Sequence, residues 1–247
     1  MLTPTSPLAR LAAFSPAARK VLLRHGLDFC CHGQISLADA CAARALDPAR
    51  ILREIARAPT DAPEFDPPSD PKALADFIVE RFHRRHLPDL DNLVAAARKV
   101  ERVHAAHPRC PVGLAEALAT LRTTLAEHMA KEEKVLFPAV KQGMRGPALR
   151  PPVEAMMREH DGHGDALATL RSRTDGFSPP PGACPTWRGL YQDLARFEED
   201  LTTHVFLENH RLFPAIASCL GAPAVARPSS PCAKSHRPAA DDAATGA

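Results

Sequence analysis

No stretch of the sequence approaches the ~18 consecutive apolar residues of a membrane-spanning helix. The N-terminus, MLTPTSPLAR, also lacks the basic segment and apolar run of a secretory signal. A cytoplasmic protein without a membrane partner is expected. Charge of one sign is missing too: 31 basic and 29 acidic residues are interspersed and leave a formal net charge of +2. That balance gives no electrostatic footprint for nucleic acid or an anionic surface. The cysteines are seven, an odd number scattered over positions 30, 31, 41, 110, 184, 219 and 232, which excludes the framework of a secreted disulfide scaffold and leaves reduced thiols. Tryptophan and tyrosine occur once each, against twelve histidines. Nine of those histidines fall between positions 83 and 210, and a functional explanation belongs there.

At 247 residues the chain is long enough for one sizeable core and a small module. Residues 1–58 read as a small helical module containing Cys30 and Cys31. Ser15-Pro16, Ser36 and Asp47-Pro48 open its helices, and Gly26 ends one. Residues 59–71 hold five prolines in thirteen positions and read as a stiff linker. From 72 to 220 four long helical patterns follow, separated by Pro/Gly punctuation at 107–113, 143–152 and 175–186. The first opens at Asp70-Pro71 and is expected to kink at Pro88. The others run from about 112 to 142, 152 to 174 and 186 to 219. Short loops between long helices predict an all-α, up-down-up-down four-helix bundle. Residues 221–247 are small, polar and Pro-rich and read as a disordered tail.

The bundle carries a degenerate repeat. HMAKEEKVLFPA at 128–139 and HVFLENHRLFPA at 204–215 superimpose with an offset of 76, matching His128 to His204 and Glu132 to Glu208. A His and a Glu four residues apart lie on one helix face, so each pair presents an imidazole and a carboxylate to one point. RFHRRH at 81–86 and REHDGH at 158–163 share R-x-H-x-x-H, which matches His83 to His160 with an offset of 77. Each half is thus a hairpin with one His on its first arm and H-x-x-x-E on its second. At ~1.5 Å per helical residue, both hairpins return these residues to roughly one layer.

Four imidazoles and two carboxylates facing inward are costly to bury without a compensating cation. The set exceeds one tetrahedral zinc, and its nitrogens exclude an all-oxygen calcium or magnesium shell. Two irons satisfy it, with two His each, Glu132 and Glu208 bridging, and an oxo or hydroxo bridge from solvent. A ferritin-like carboxylate site needs paired E-x-x-H motifs, and on the first arm Glu101/His104 lacks a partner. Cys30 and Cys31, near His25 and His32, offer two sulfurs of lowered thiol pKa to a metal or nitrosyl, or else pack as small hydrophobes. Glu159 and His86 read as outer partners of the ligands or a proton path, Glu133 and His163 equally as a solvated face. The Leu-Phe-Pro after each Glu reads as packing and a kink just beyond the ligands.

His83, His128-x-x-x-Glu132, His160 and His204-x-x-x-Glu208, with DFCCHG at 28–33, resemble the repair-of-iron-centres proteins, a hemerythrin-like di-iron family. KVERVHA at 99–105, FPAVKQGM at 137–144 and LENHRLFP at 207–214 extend the resemblance to about residue 220. The family's usual DYCCGG reads DFCCHG here, with Phe29 for Tyr and His32 for Gly. The resemblance implies a cytoplasmic non-haem di-iron protein that restores iron–sulfur clusters damaged by nitric oxide or peroxide. Iron–sulfur proteins are its implied clients, NO or O2 its small ligands, and a homodimer is compatible with it. It also implies the six His and Glu as iron ligands and Cys30-Cys31 as the N-terminal thiol pair. A di-iron NO reductase and a hemerythrin-like O2- or NO-binding sensor are the alternative functions.

Overall fold

The computed structural model describes residues 2–59 and 66–217, which are helical and form no strand. The expected disorder of 221–247 and the middle of the Pro-rich linker lie outside the described residues. Four short helices come first: α1 (Leu8–Phe14), α2 (Pro16–Arg24), α3 (Leu37–Ala42) and α4 (Pro48–Arg57). The first long arm joins α5 (Pro71–Ile78) to α6 (Arg84–Val103) through a π-helical turn at Val79–His83. The second joins α7 (Leu114–Lys131) to α8 (Phe137–Lys141) through a π turn at Glu132–Leu136. The third is α9 (Arg150–Arg173), and the fourth joins α10 (Pro185–Leu207) to α11 (Phe213–Ala217) through a π turn at Glu208–Leu212.

The helix starts follow from local chemistry. Ser15, Ser36, Asp47 and Asp70 each accept a backbone N–H from two or three residues ahead. Each such cap stabilises its helix by about 1 kcal/mol. Pro16, Pro48 and Pro71 occupy first-turn positions where the missing N–H costs nothing. Helix α6 packs on α7 and α10, and α9 packs on the same two, so the four arms alternate in direction around one core. No helix among the described residues is long and apolar enough to cross a membrane.

Helix α6 continues through Pro88, where a kink is expected, and a π turn lies just before it. A proline ring strikes the carbonyl four residues earlier. For Pro88 that residue is Arg84, at the end of the π turn, and for Pro138 and Pro214 it is Lys134 and His210, inside one. An extra residue per turn lets that carbonyl splay outward, so each proline selects a π turn ahead of it. Helix α9 carries its prolines only in the first turn and has none.

Helices α1–α4 are docked on the fourth arm, and the apolar core runs uninterrupted from Leu8 to Ile216. Phe29, 1% exposed, meets the Phe206 ring edge-on at 5.8 Å. Burying such a ring contributes about 1.5–3 kcal/mol. Gly33 is held close under His210: a Cβ there would lie 2.5 Å from the Phe29 carbonyl and 2.6 Å from His210 Nε2. Arg211 Nη2 donates to the carbonyls of Pro67 and Pro68 at 3.2 Å, tying the end of the Pro-rich segment to the same arm. Phe29→Ala is expected to destabilise the protein by about 3–5 kcal/mol; thermal denaturation with an unchanged midpoint would refute this docking contact.

Candidate metal centre

The structure brings His83, His128, Glu132, His160, His204 and Glu208 into one layer, each with 5% exposure or less. His128 and His204 sit in the last turns of α7 and α10, and Glu132 and Glu208 open the π turns that follow. His83 closes the π turn of the first arm, and His160 lies mid-way along α9. Two groups of donors form: His83, His204, Glu132 and Glu208; and His128, His160, Glu132 and Glu208. Within each group the donor atoms lie within 4.8 Å of one another. Both carboxylates belong to both groups, and each group takes one histidine from each hairpin.

The rings are oriented from outside. His83 Nδ1 meets Glu133 Oε1 at 2.8 Å, His128 Nδ1 meets Glu159 Oε2 at 3.0 Å, and His160 Nδ1 meets Asn209 Oδ1 at 2.9 Å. His204 Nδ1 meets His86 Nε2 at 3.2 Å. With every Nδ1 engaged, every Nε2 faces inward: His83 to His204 at 3.2 Å, and His128 to His160 at 3.1 Å. A carboxylate or amide oxygen at Nδ1 fixes the proton there and leaves Nε2 as a lone-pair donor. Three of the rings are also stacked: Phe82 lies parallel to His204, Phe137 to His83 and Phe213 to His160 at 5.4, 5.6 and 5.8 Å. Phe137 and Phe213 are the phenylalanines of the two Leu-Phe-Pro segments, which therefore cover the imidazoles in addition to setting the π turns.

The central carboxylates are fully buried, yet Glu132 Oε1, Glu132 Oε2 and Glu208 Oε2 have no hydrogen-bond partner. Burial works to raise the pKa of Glu208, but the imidazoles of His160, His128 and His83 override it and hold the group below the usual carboxylate range. Burial opposes protonation of His83 and His160 as well, and there Glu132 and Glu208 prevail and raise both. Burial and the charge of His83 push His204 well below the usual range. Orphaned carboxylate oxygens facing four imidazole nitrogens form a donor set that a pair of cations satisfies. Glu101 and His104 are elsewhere: Glu101 accepts the Ala115 N–H at 2.9 Å, and His104 Nε2 lies 3.2 Å from Cys184 Sγ.

Of the two neighbours read as a solvated face, Glu133 is half exposed and also reaches His83, whereas His163, 4% exposed, is buried and meets His128 edge-on at 4.9 Å. Burial lowers the His163 pKa to about 3 and keeps the ring neutral. Glu159 and His86 contact the rings as their helical positions suggest. Asn209 is absent from the sequence reading, although the repeat contained the signal: position 209 is the partner of Glu133 at the offset of 76.

Cys30 and Cys31 lie in the loop between α2 and α3, with their sulfurs 3.7 Å apart. His25 is turned away, paired with Glu54 at 2.8 Å. The expected lowering of a thiol pKa does not hold for Cys30. The adjoining Cys31 thiol, burial and Asp28 push it well above the ordinary value. The loop nonetheless touches the centre: Asn209 Nδ2 donates to the Cys30 carbonyl at 3.0 Å, and the Cys31 thiol donates to the His160 carbonyl at 3.4 Å.

The chain is also similar to known proteins. A family model described as the hemerythrin HHE cation binding domain matches residues 74–216, and one described as a domain of unknown function (DUF542) matches residues 5–59. The iron-sulfur cluster repair protein YtfE of Citrobacter koseri is 41% identical over 209 residues, covering 84% of this chain and 94% of that protein. The YtfE proteins of Escherichia coli O157:H7 and Shigella boydii serotype 4 match at the same identity and coverage. With the HHE match over most of the chain and these relatives aligned nearly end to end, the chain belongs to the hemerythrin-like family of repair-of-iron-centres proteins.

Proposed function

We propose that this protein holds two non-haem irons and repairs iron–sulfur clusters damaged by nitrosative or oxidative stress, delivering iron to the damaged proteins. The observation that carries the reading is the pair of four-donor groups sharing Glu132 and Glu208. The YtfE relatives, named as iron-sulfur cluster repair proteins, support the role. His83 and His204 would hold one iron, His128 and His160 the other, and the two glutamates would bridge them. Bound iron supplies redox-active, exchangeable positions for a small ligand such as NO or O2.

The chain's own residues then divide the work. Glu132 and Glu208 neutralise the metal charge inside an otherwise apolar bundle. Glu133 and Glu159 place a carboxylate behind His83 and His128 and make those rings the more basic donors. His86 and Asn209 offer only neutral partners to His204 and His160. Each iron would thus have one strongly and one weakly supported imidazole, a balance suited to a metal that must be retained and also surrendered. Phe82, Phe137 and Phe213 exclude water from the ring faces.

Iron analysis with Mössbauer spectroscopy is expected to find two coupled non-haem irons per chain. Glu132→Leu and His204→Leu should lose that iron while remaining helical, and wild-type iron content in either would overturn the ligand assignment. His86→Phe should bind iron about 10–100-fold more weakly, the usual effect of losing an outer partner. In a repair assay, an iron–sulfur dehydratase inactivated by NO should regain activity with the iron-loaded protein and not with Glu132→Leu. No recovery with the loaded wild type would refute the repair function.

A further inference from the structure

A third set of donors lies outside the central layer. Asp28, Cys30 and Cys31 place a carboxylate oxygen and two sulfurs within 4.8 Å of one another. The Cys30 and Cys31 sulfurs are 3.7 Å apart, and Cys30 Sγ is 3.2 Å from Asp28 Oδ1. A metal ~2.3 Å from both sulfurs would subtend about 107° between them, close to the tetrahedral angle. With a metal–oxygen bond of about 2.0–2.1 Å, the angle to Asp28 Oδ1 would be about 95°. Both spacings are therefore those of neighbouring corners of one coordination shell, and the remaining one, between Cys31 and Asp28, lies within 4.8 Å. A vicinal disulfide instead requires the sulfurs to close to ~2.05 Å.

The loop is built to keep this set in place. Asp28 Oδ1 accepts the N–H groups of Cys30 and Cys31 at 3.1 and 3.0 Å, so the carboxylate folds the loop around itself. His32 Nδ1 holds the other oxygen at 2.7 Å. His32, one of the two residues that depart from the family's usual loop, supports the carboxylate rather than joining the donors. Asp161 and Asp165 on α9 face its imidazole and add negative charge at the mouth. Asp28 and His32 are 35% and 61% exposed, so the set opens to solvent on one side. On its other side it reaches the centre: Cys31 Sγ lies against the His160 carbonyl, and Asn209 joins the Cys30 carbonyl to His160 Nδ1.

We propose that Asp28, Cys30 and Cys31 form a third metal site, for a thiophilic divalent cation, that takes Fe2+ passing between the His128/His160 position and the outside. Two sulfurs and one oxygen favour a borderline-soft first-row ion over magnesium or calcium. On binding, two metal–sulfur bonds form, both thiol protons pass to solvent, and the oxidation state of the iron does not change. A fourth position admits a ligand from an acceptor. The path is short because the loop and a ligand of the inner centre share the Asn209 amide. The transit role rests on the iron-delivery function above; the existence of the site does not.

Cobalt(II) separates the two. Added under anaerobic conditions to the iron-loaded protein, Co2+ alone should bind with one extra equivalent per chain and give a near-ultraviolet sulfur-to-cobalt charge-transfer band. Cys30→Ser or Cys31→Ser should abolish the band while circular dichroism shows the helices intact. His32→Ala should weaken binding about 10–100-fold, as expected for loss of an outer partner. Glu132→Leu, emptied of its central iron, should keep the band. The site is overturned if no sulfur-to-cobalt band forms or if the band persists in both cysteine variants. If the band behaves as expected but the wild type fails to revive the NO-inactivated dehydratase, the site stands and the repair function falls.

Discussion

Two buried carboxylates without a full set of hydrogen-bond donors around them are the constraint on which this bundle turns. Isolated in the core, Glu132 and Glu208 would cost several kcal/mol each. Four imidazoles from four arms converge on them, and with a cation pair the charges and lone pairs close. Everything nearby serves that convergence. The stacked phenylalanines keep the rings dry, and the Nδ1 partners set which nitrogen faces inward.

The π turns belong to the same design. A helix of constant pitch would swing the residue after each glutamate about 100° away. Here Glu132 and Glu133, and likewise Glu208 and Asn209, all reach the centre, the first of each pair inward and the second to a ring from behind. The prolines that follow favour this geometry, because the turn before each must open to avoid the ring. A local steric rule thereby places two adjacent side chains on one cluster.

Much of this was legible in the sequence, and the limits are instructive. Caps at Ser15, Ser36, Asp47 and Asp70 depend on side chains reaching their own backbone, so they could be read directly. The six central residues were legible because the sequence states them twice, at offsets of 76 and 77. Asn209 was missed because the repeat changes residue type there, from Glu133 to an amide. The π turn ahead of Pro88 was not legible, because proline marks a disturbed carbonyl without saying whether the helix bends or widens. The surroundings of Cys30 and Cys31 could not be read, since they depend on a loop meeting α9 and the fourth arm more than a hundred residues away.

The assignment of histidines to the two donor groups runs across the hairpins. His83 and His204 share one group, His128 and His160 the other, and the repeat exchanges the two groups when it exchanges the halves. One hairpin alone is therefore half of two sites and all of neither. Two identical hairpins facing each other across a two-fold axis would complete both, so a chain of half this length could have bound a metal pair only as a dimer. Within one chain the two halves can differ. Glu133 and Asn209 show such a difference: at equivalent positions, one backs His83 with a half-exposed carboxylate, the other joins His160 to the cysteine loop as an amide.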